Sequence, residues 1–217
     1  RKKVALFCNV DPAAVIQSID VPSIYEVPLK MHQQHLDEIV LTKTGLPING
    51  EPHLEPWLNF LHRMKNATKT VRIGLVGKYV ELPDAYKSIN EALFQAATYN
   101  DRKLDLQYIH SEKLNSGNVD AMLSSLDGVL IAPGFGQRGI EGKFIALKYA
   151  REHDIPTFGV CLGMQCMVIE YARDVLGYTD ANSTEMDVTT KHNVIDLMEE
   201  QKSITNMGGT MRLGAYD

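Results

Sequence analysis

One segment, Gly-Val-Cys-Leu-Gly at positions 159–163, constrains the fold of this chain more than any other. Residues 155–158 before it predict a short buried strand, and residues 164–176 after it predict a helix that ends at Gly177. A Gly-x-nucleophile-x-Gly pattern between a strand and a helix is typical of a nucleophile elbow. The bend is so tight that a side chain at position 159 or 163 would collide with its neighbours. We therefore expect the cysteine between them to lie at the carboxyl end of a sheet.

A cysteine at such a helix start is well placed to act as a nucleophile. The unpaired N–H groups of the first turn and the helix dipole favour the thiolate over the thiol. The alternative is a buried cysteine at a strand end, which is a common core residue. The two flanking glycines favour a reactive Cys161, whereas Cys166, close to Met167 and Ile169, is expected to belong to the core.

From residue 69 onward, predicted strands and helices alternate. This rhythm predicts an α/β fold with a doubly wound, mainly parallel sheet, in which ligands bind beyond the carboxyl ends of the strands. The predicted strands cover 71–76, 104–109 and 128–132, and the predicted helices cover 86–99, a stretch near 119–126, and 142–153.

A second loop, Gly134-Phe135-Gly136, follows the third of these strands. A nucleophile in acyl transfer needs N–H donors aimed at the developing oxyanion. One would come from Leu162 and the other from this loop, although a glycine-rich turn without a role is the alternative. Gln165 and Glu185 are candidates for holding a polar substrate, with a solvated surface position or a helix cap as the alternative.

The first part of the chain is less regular. Residues 3–10 predict a buried strand, and Asp11-Pro12 predicts the start of a short helix that reaches Ile19. Two prolines make residues 21–29 an extended loop or edge strand, and helical spacing resumes over 30–40. Glycine and proline make residues 42–56 a linker, with a helix over 55–65 after it. These patterns divide the chain into residues 1–42, a linker 43–68, and a domain 69–217.

Composition restricts the function classes. The net charge of −5 argues against a nucleic-acid surface and a polybasic membrane anchor, and no apolar run is long enough to span a membrane. Three cysteines do not suggest a disulfide framework, so a reducing cytoplasm is expected. Both ends are expected to be cut from a longer protein, because residue 1 directly precedes a predicted strand and residues 211–216 predict the start of another element.

Residues 159–165 resemble the elbow of class I glutamine amidotransferases. Residues 77–88 are similar to a loop peculiar to the CTP synthase family, and further segments match this family in the same order, at 5–10, 23–25, 181–185 and 208–214. The resemblance implies a doubly wound, flavodoxin-like amidotransferase domain, truncated at its end. It also implies a short α/β tail of an amidoligase domain over residues 1–42.

In this family, ammonia released from glutamine by a cysteine aminates UTP in an ATP- and Mg-dependent reaction, and GTP activates the homotetrameric enzyme. The resemblance assigns Cys161 as the nucleophile. Nothing is expected to be bound to this fragment by itself. The further roles that the resemblance implies are glutamine binding at Gly134, Leu162, Gly163, Met164, Gln165 and Glu185, nucleotide binding at Lys3 and Val21, and GTP activation around Lys87, Arg138 and Arg212.

The sequence departs from the family in several respects. Pro133 stands where the family has glycine, so that only Gly134 can donate an N–H there. The family's His-x-Glu pair has no counterpart before Asp217, and the segment that carries most of the UTP site is absent, so the fragment alone is not expected to turn over glutamine. Two alternatives stay open. One is another elbow enzyme such as a γ-glutamyl hydrolase, and the other is a non-catalytic module that kept the fold.

Overall fold

The computed structural model describes residues 1–196 of the chain. These residues form two compact units, one covering residues 1–67 and the other beginning at residue 68. The element predicted over residues 211–216 lies outside the described residues, and so does the predicted family segment 208–214. In the described part of the chain, no helix is both long and apolar enough to cross a membrane.

The first unit is helical in all of its regular structure. Trp57 and Phe60 pack against Tyr25, and the indole N–H of Trp57 donates to the Tyr25 carbonyl at 2.9 Å. The helix predicted over 55–65 is confirmed, with Phe60 and Leu61 as its buried residues. The helices of the first unit are α1 (Lys2–Cys8), α2 (Val27–His32), α3 (Leu36–Thr44) and α4 (Glu55–Asn66).

The strand predicted over residues 3–10 is wrong, because this segment forms α1. Ala5 is the one buried residue of this helix, while Leu6 and Phe7 are exposed. A short apolar run does not distinguish a strand from a helix by its periodicity. A strand also needs a neighbour to pair with, and the described residues of the first unit contain no strand. The predicted α/β character of this tail is therefore not found here.

Two further predictions in this unit need correction. Asp11 caps a turn as predicted, accepting from the Ala13 N–H at 2.7 Å, but the turn is a 3₁₀ segment that ends at Ala14. The predicted extended stretch 21–29 contains a 3₁₀ turn and the start of α2. Pro28 lies in the first turn of α2, where backbone N–H groups have no intrahelical acceptor. Its missing N–H therefore costs no helical hydrogen bond, and the helix is not broken.

The second unit is built on a parallel sheet, as predicted. Four strands run in the order β2-β1-β3-β4, and every pair is parallel. The α/β fold class is therefore confirmed. The strands are β1 (Lys69–Gly77), β2 (Arg102–His110), β3 (Gly128–Ile131) and β4 (Thr157–Gly159), and the helices are α5 (Lys87–Tyr99), α6 (Val119–Leu123), α7 (Ile140–Glu152) and α8 (Leu162–Asp174).

The two faces of the sheet pack against different helices, as expected of a doubly wound arrangement. Successive strand residues point to opposite faces, and this separates Leu75 and Leu130 from Val76 and Ile131. The first pair packs with Leu93 of α5, and the second pair belongs to a larger cluster with α6, α7 and α8. The carboxyl ends of β3 and β4 lie side by side, because Ile131 pairs with Gly159.

The strand before the elbow was predicted to be buried, and this is wrong. β4 lies at the edge of the sheet within the described residues, and Phe158 is 66 % exposed. A strand with a neighbour on one side and an uncovered face leaves alternate side chains in solvent. After α8 the chain forms a small parallel pair, β5 (Asn182–Ser183) and β6 (Asn193–Ile195).

Candidate active site

The bend between β4 and α8 has the backbone of a nucleophile elbow. Cys161 lies between the two elements with φ 52° and ψ −114°, a backbone conformation that residues other than glycine seldom adopt. The N–H of Val160 donates to the Ile131 carbonyl at 3.1 Å, which ties the bend to β3. The N–H of Gly163 then closes the turn on the Val160 carbonyl at 2.8 Å.

The two flanking glycines are required by sterics, as the sequence predicted. A Cβ at Gly159 would lie 2.5 Å from the backbone nitrogen of Met164. A Cβ at Gly163 would lie 2.1 Å from the carbonyl oxygen of Ile131. Both obstacles are backbone atoms that cannot rotate away, so either side chain would push β3, β4 and α8 apart. This strained bend holds Cys161 in place.

Cys161 is exposed and occupies the N-cap position of α8. Its carbonyl accepts the first intrahelical bond, from Gln165 N–H at 3.1 Å. The backbone N–H of Leu162 is the first of the helix, where no carbonyl of the preceding turn is available to accept it. A negative charge at the sulfur or on a substrate oxygen would therefore lie at the positive end of the helix dipole.

The glycine-rich loop lies beside the elbow. A Cβ built on Gly134 would lie 3.8 Å from Cδ2 of Leu162 and 3.6 Å from Cε of Lys78. The loop starts from Ala132, whose N–H is held by the Val76 carbonyl at 2.9 Å. The structure therefore brings Gly134 and Leu162 together, the two residues whose N–H groups the sequence predicts as oxyanion donors.

Besides Gly134 and Leu162, the predicted glutamine-binding residues occupy two segments. Gly163, Met164 and Gln165 belong to the first turn of α8, where Met164 is exposed and Gln165 is half-buried. Glu185 is exposed in the loop that follows β5. The side chain of Gln137 connects this loop to the glycine-rich loop, because its Nε2 donates to the Met186 carbonyl at 2.6 Å.

A cavity of about 500 Å³ opens next to these two loops. Its lining includes Gln137, Phe144, Arg173 and Met186, but not Cys161. The Arg173 side chain donates to the Ala181 carbonyl at 2.6 Å and stacks over the Phe144 ring. The cavity is therefore lined by residues from the two loops, α7 and α8 and does not include the nucleophile, and its arginine is already occupied in holding the loop.

Two buried groups below the elbow have shifted pKa values. Burial raises the pKa of the Cys166 thiol to about 11, so this cysteine stays protonated. Burial lowers the pKa of Lys143, and the charge of Lys78 lowers it further, while Cys166 and Cys161 act in the opposite direction. Cys166 is fully buried, which confirms its prediction as a core residue.

The sequence interpretation missed Lys78 and Lys143, which both contact the glycine-rich loop. The Lys143 ammonium donates to the Ala132 carbonyl at 2.7 Å, and the Lys78 ammonium donates to the Phe135 carbonyl. A signal for Lys143 was available, because it follows Ile140 by three positions on the face of α7 that the apolar spacing buries.

The residues predicted to bind nucleotides are found in both units. Lys3 is exposed on α1, and Val21 is half-buried in the irregular segment before α2. Lys87 begins α5 and pairs with Glu91 at 3.3 Å. Arg138 pairs with Glu112 at 2.9 Å and lies over the Tyr79 ring, while Arg212 lies outside the described residues.

His192 is the one histidine that follows Cys161 in the sequence. It lies immediately before β6. Its Nδ1 pairs with Asp180 at 2.6 Å, and its ring stacks on Tyr178. These contacts hold the segment between α8 and β6.

The class of the protein follows from comparison with known families. The family model "Glutamine amidotransferase class-I" matches residues 81–217, which is more than half of the chain. The chain therefore belongs to the class I glutamine amidotransferase family. The model "CTP synthase N-terminus" matches residues 1–46, ahead of that domain.

Individual relatives agree with both matches. The chain is similar to the CTP synthases of Bacteroides fragilis, at 69 % identity over 217 residues, and Porphyromonas gingivalis, at 63 % over 216 residues. Each alignment covers the whole chain, which spans about two fifths of the relative's length (41 % and 40 %). The resemblance to the CTP synthase family is confirmed.

A solved structure also matches. It is the glutaminase domain of Trypanosoma brucei CTPS with bound acivicin, with a TM-score of 0.56 and 41 % identity, and the match covers 60 % of this chain and 51 % of that one. The match supports the same fold for the second unit as for that glutaminase domain.

Proposed function

We propose that this chain carries the glutamine-hydrolysing site of a CTP synthase, with Cys161 as the nucleophile. The observation that carries the proposal is the position of this exposed sulfur, on a strained bend at the start of α8 and beside the Gly134 loop. The amidotransferase family match and the names of the relatives support the same assignment.

The chemistry follows from that geometry. The Cys161 thiolate attacks the carboxamide carbon of glutamine, and the carbonyl oxygen becomes an oxyanion that the N–H groups of Leu162 and Gly134 receive. The tetrahedral intermediate collapses to a thioester as the C–N bond breaks and the nitrogen takes up a proton to leave as ammonia. Water then attacks the thioester and releases glutamate. The family resemblance assigns the proton transfers to a His-x-Glu pair, for which residues 162–217 offer no counterpart.

The remaining groups of this site would hold the amino-acid end of glutamine. An ammonium and a carboxylate both have to be satisfied when water is excluded. We assign Glu185 to the ammonium, and Gln165 with the backbone of Gly163 and Met164 to the polar groups next to the thiolate. The bond from Gln137 to Met186 supports this assignment, because it connects the Glu185 loop to the Gly134 loop.

The complete reaction requires the remainder of the protein. We propose that ammonia passes to an amidoligase domain that converts UTP to CTP with ATP, within a cytoplasmic homotetramer activated by GTP. Residues 1–42 would be the tail of that domain, with Lys3 near nucleotide phosphates and Val21 near adenine, followed by a linker 43–68. The GTP response would involve Lys87, Arg138 and Arg212. Lys87 and Arg138 are on the surface of the second unit, where an effector could reach them.

Mg²⁺ and ATP belong to the proposed amidoligase reaction. Within residues 1–196, no group of three or more His, Cys, Asp or Glu residues is arranged to hold a metal ion. Lys3 is exposed on a short helix, where it would supply one contact to nucleotide phosphates. The remaining contacts to ATP and Mg²⁺ would come from the rest of the proposed amidoligase domain.

The proposal is tested by kinetics of the full-length protein. We expect glutamine-dependent ammonia release and UTP-dependent CTP formation, both lost by at least about 10⁴-fold in Cys161→Ala. Cys166→Ala is the matched control, because it removes a thiol five positions away that is buried. CTP formation from added ammonium salts should survive in Cys161→Ala.

Other results would favour the alternatives. Ammonia release without CTP formation would indicate a separate amidase or a γ-glutamyl hydrolase. Neither activity in a folded protein would indicate a non-catalytic module. Undiminished glutamine-dependent activity in Cys161→Ala would remove the assignment of the nucleophile.

A further inference from the structure

Two buried lysines donate hydrogen bonds to backbone carbonyls on either side of Gly134. Lys143 of α7 is 1 % exposed, and its ammonium donates to the carbonyl of Ala132 at 2.7 Å. Lys78, just after β1, is 8 % exposed, and its ammonium donates to the carbonyl of Phe135. The segment between these two carbonyls contains the N–H of Gly134.

These lysines occupy positions where charge is costly. Lys143 belongs to the same buried face of α7 as Phe144 and Leu147, and burial lowers its pKa. The positive charge of Lys78 adds to this cost. An apolar side chain at position 143 would fit the surrounding core without either penalty. A role in holding the loop accounts for the presence of charge here.

We propose that Lys78 and Lys143 form a clamp that fixes the loop 132–135 so that the Gly134 N–H points at the oxyanion. The inference rests on the function proposed above, since it concerns how that same site is organised. The two lysines are positioning residues, because they contact the loop backbone through its carbonyls.

The composition of the loop explains why a clamp is needed. The peptide bond between Ala132 and Pro133 carries no N–H, so the first N–H of this segment is that of Gly134. Phe135 is 75 % exposed and Gly136 is also exposed, so packing does little to hold the chain after Gly134. A hydrogen bond to the carbonyl at each end restricts the rotation that solvent exposure would permit. The aliphatic chain of Lys78 also packs below Gly134, 3.6 Å from the position of a Cβ.

The test compares two reactions at the same sulfur in the full-length protein. The thiolate adds to the ketone carbon of a glutamine-analogue chloroketone and forms an oxyanion. The sulfur then displaces chloride from the adjacent carbon, and the oxyanion returns to the ketone as the first C–S bond breaks. Iodoacetamide loses iodide by direct displacement, without an oxyanion. Both rates are measured at Cys161 by mass spectrometry from about pH 6 to about pH 10, and the plateaus are compared because they refer to the thiolate alone.

The variants are Lys143→Met and Lys78→Met, which keep most of the side-chain length but remove the ammonium. Their matched controls are Lys148→Met, five positions further along α7 and paired with Asp174, and Lys113→Met, paired with Glu81 on the surface. We expect the ratio of the chloroketone rate to the iodoacetamide rate to fall about 10- to 100-fold in each clamp variant. The ratio should stay within about twofold of the unaltered protein in each control.

Steady-state kinetics give a second readout that loss of stability alone would not produce. Glutaminase kcat should fall by about tenfold or more in the clamp variants, while KM for glutamine stays within about threefold. If Lys143→Met fails to fold, Lys143→Gln is the second variant. Its amide is a donor on a shorter side chain than that of lysine, so we do not expect it to reach the Ala132 carbonyl, and the folded variant should show the same fall in ratio.

The outcomes separate this inference from the proposed function. An unaltered protein that reacts with iodoacetamide at Cys161 but resists the chloroketone would contradict the proposed function. An unaltered protein that reacts with both, together with folded clamp variants that keep the same ratio, would overturn the clamp and leave the function standing.

Discussion

Two cysteines five positions apart, Cys161 and Cys166, have opposite environments in this protein. Cys161 is exposed on the bend before α8, with a positive φ and helix N–H groups next to it. Cys166 is fully buried one and a half turns into the same helix, and its pKa is raised to about 11. The residue type is the same, so backbone position alone accounts for the contrast.

The contrast shows what the fold contributes to reactivity. A bend with glycine at 159 and 163 lifts one sulfur into solvent at the positive end of a helix. The regular helix that follows turns the next sulfur into the core, where desolvation keeps it protonated. The first environment favours a nucleophile, and the second makes a thiol behave as a small apolar side chain.

The largest expected effect is the difference in reactivity between the two thiols. In the native protein, iodoacetamide should modify Cys161 at least about 10³-fold faster than Cys166, because the buried thiol is both inaccessible and protonated. Peptide mapping of the alkylated protein measures both rates. Cys8 is exposed as well and serves as the control for simple accessibility. Comparable modification of Cys166 under native conditions would contradict this comparison.

The second prediction removes the bend that creates the contrast. Gly163→Ala places a Cβ against the Ile131 carbonyl, so we expect a loss of about 3 kcal/mol or more in stability, together with loss of glutaminase activity. Hydrogen exchange of peptides from β3 and α8 measures the stability. Gly117→Ala is the control, since its Cβ would meet the flexible side chain of Asn115 at 3.2 Å, and it should cost about 1 kcal/mol or less. Equal effects of the two substitutions would show that the bend is not sterically fixed.

The third prediction uses the titration of the buried thiol. Because the pKa of Cys166 is raised to about 11, the folded protein keeps a proton that the unfolded chain loses near its ordinary pKa of about 8.5. The stabilising contribution of Cys166 is therefore complete below that lower value and is lost as the pH rises towards about 11. Between about pH 8 and about pH 10, the free energy of unfolding should fall less in Cys166→Ala than in the unaltered protein. The difference between the two falls should be on the order of 1 kcal/mol.

Hydrogen exchange of α8 peptides at the two pH values, corrected for intrinsic exchange, measures this difference. Lys143 has a pKa lowered by burial and acts in the opposite direction, but it is present in both proteins. Parallel losses of stability in the two proteins would mean that Cys166 is not desolvated as described.

The smallest expected effect concerns Pro133. Pro133→Gly introduces the glycine that the family resemblance implies at this position and adds flexibility to the unfolded chain, so it should cost about 1 kcal/mol in stability. The Gly134 donor stays in place, so glutaminase kcat should change by about threefold or less. Thermal unfolding and steady-state kinetics measure both quantities. A large gain in kcat would contradict this expectation, because it would show that Pro133 restricts the conformation of the loop more strongly than the lysine clamp does.

Much of the second unit could be predicted from the sequence, because its constraints are local. Apolar runs of strand length separated by helical spacing predicted the parallel sheet, and the paired glycines predicted the bend. The exposure of Phe158 could not be predicted, because an edge strand and a central strand have the same local pattern. The contact of Lys78 joins residues 57 positions apart in the chain, so no local pattern points to it. For Lys143, the apolar spacing of α7 indicates the burial, but it does not indicate the Ala132 carbonyl as the partner.

The first unit was harder to predict. Val4, Leu6 and Phe7 looked like a buried strand, but they are exposed side chains of α1. The prolines of residues 21–29 predict an extended segment, but Pro28 lies in the first turn of α2, which tolerates proline. For residues 3–10, the outcome depends on what packs against the segment, which the local pattern does not contain. Asp11, in contrast, caps its own turn as predicted, because that contact is local.

The proposed function depends on Cys161 being the nucleophile of a glutamine site. This assignment is tested by treating the full-length protein with a glutamine-analogue chloroketone and locating the adduct by mass spectrometry, with and without excess glutamine. We expect one adduct, on Cys161, that glutamine suppresses, with Cys8 and Cys166 unmodified. An adduct spread over the exposed cysteines Cys8 and Cys161, unaffected by glutamine, would contradict it.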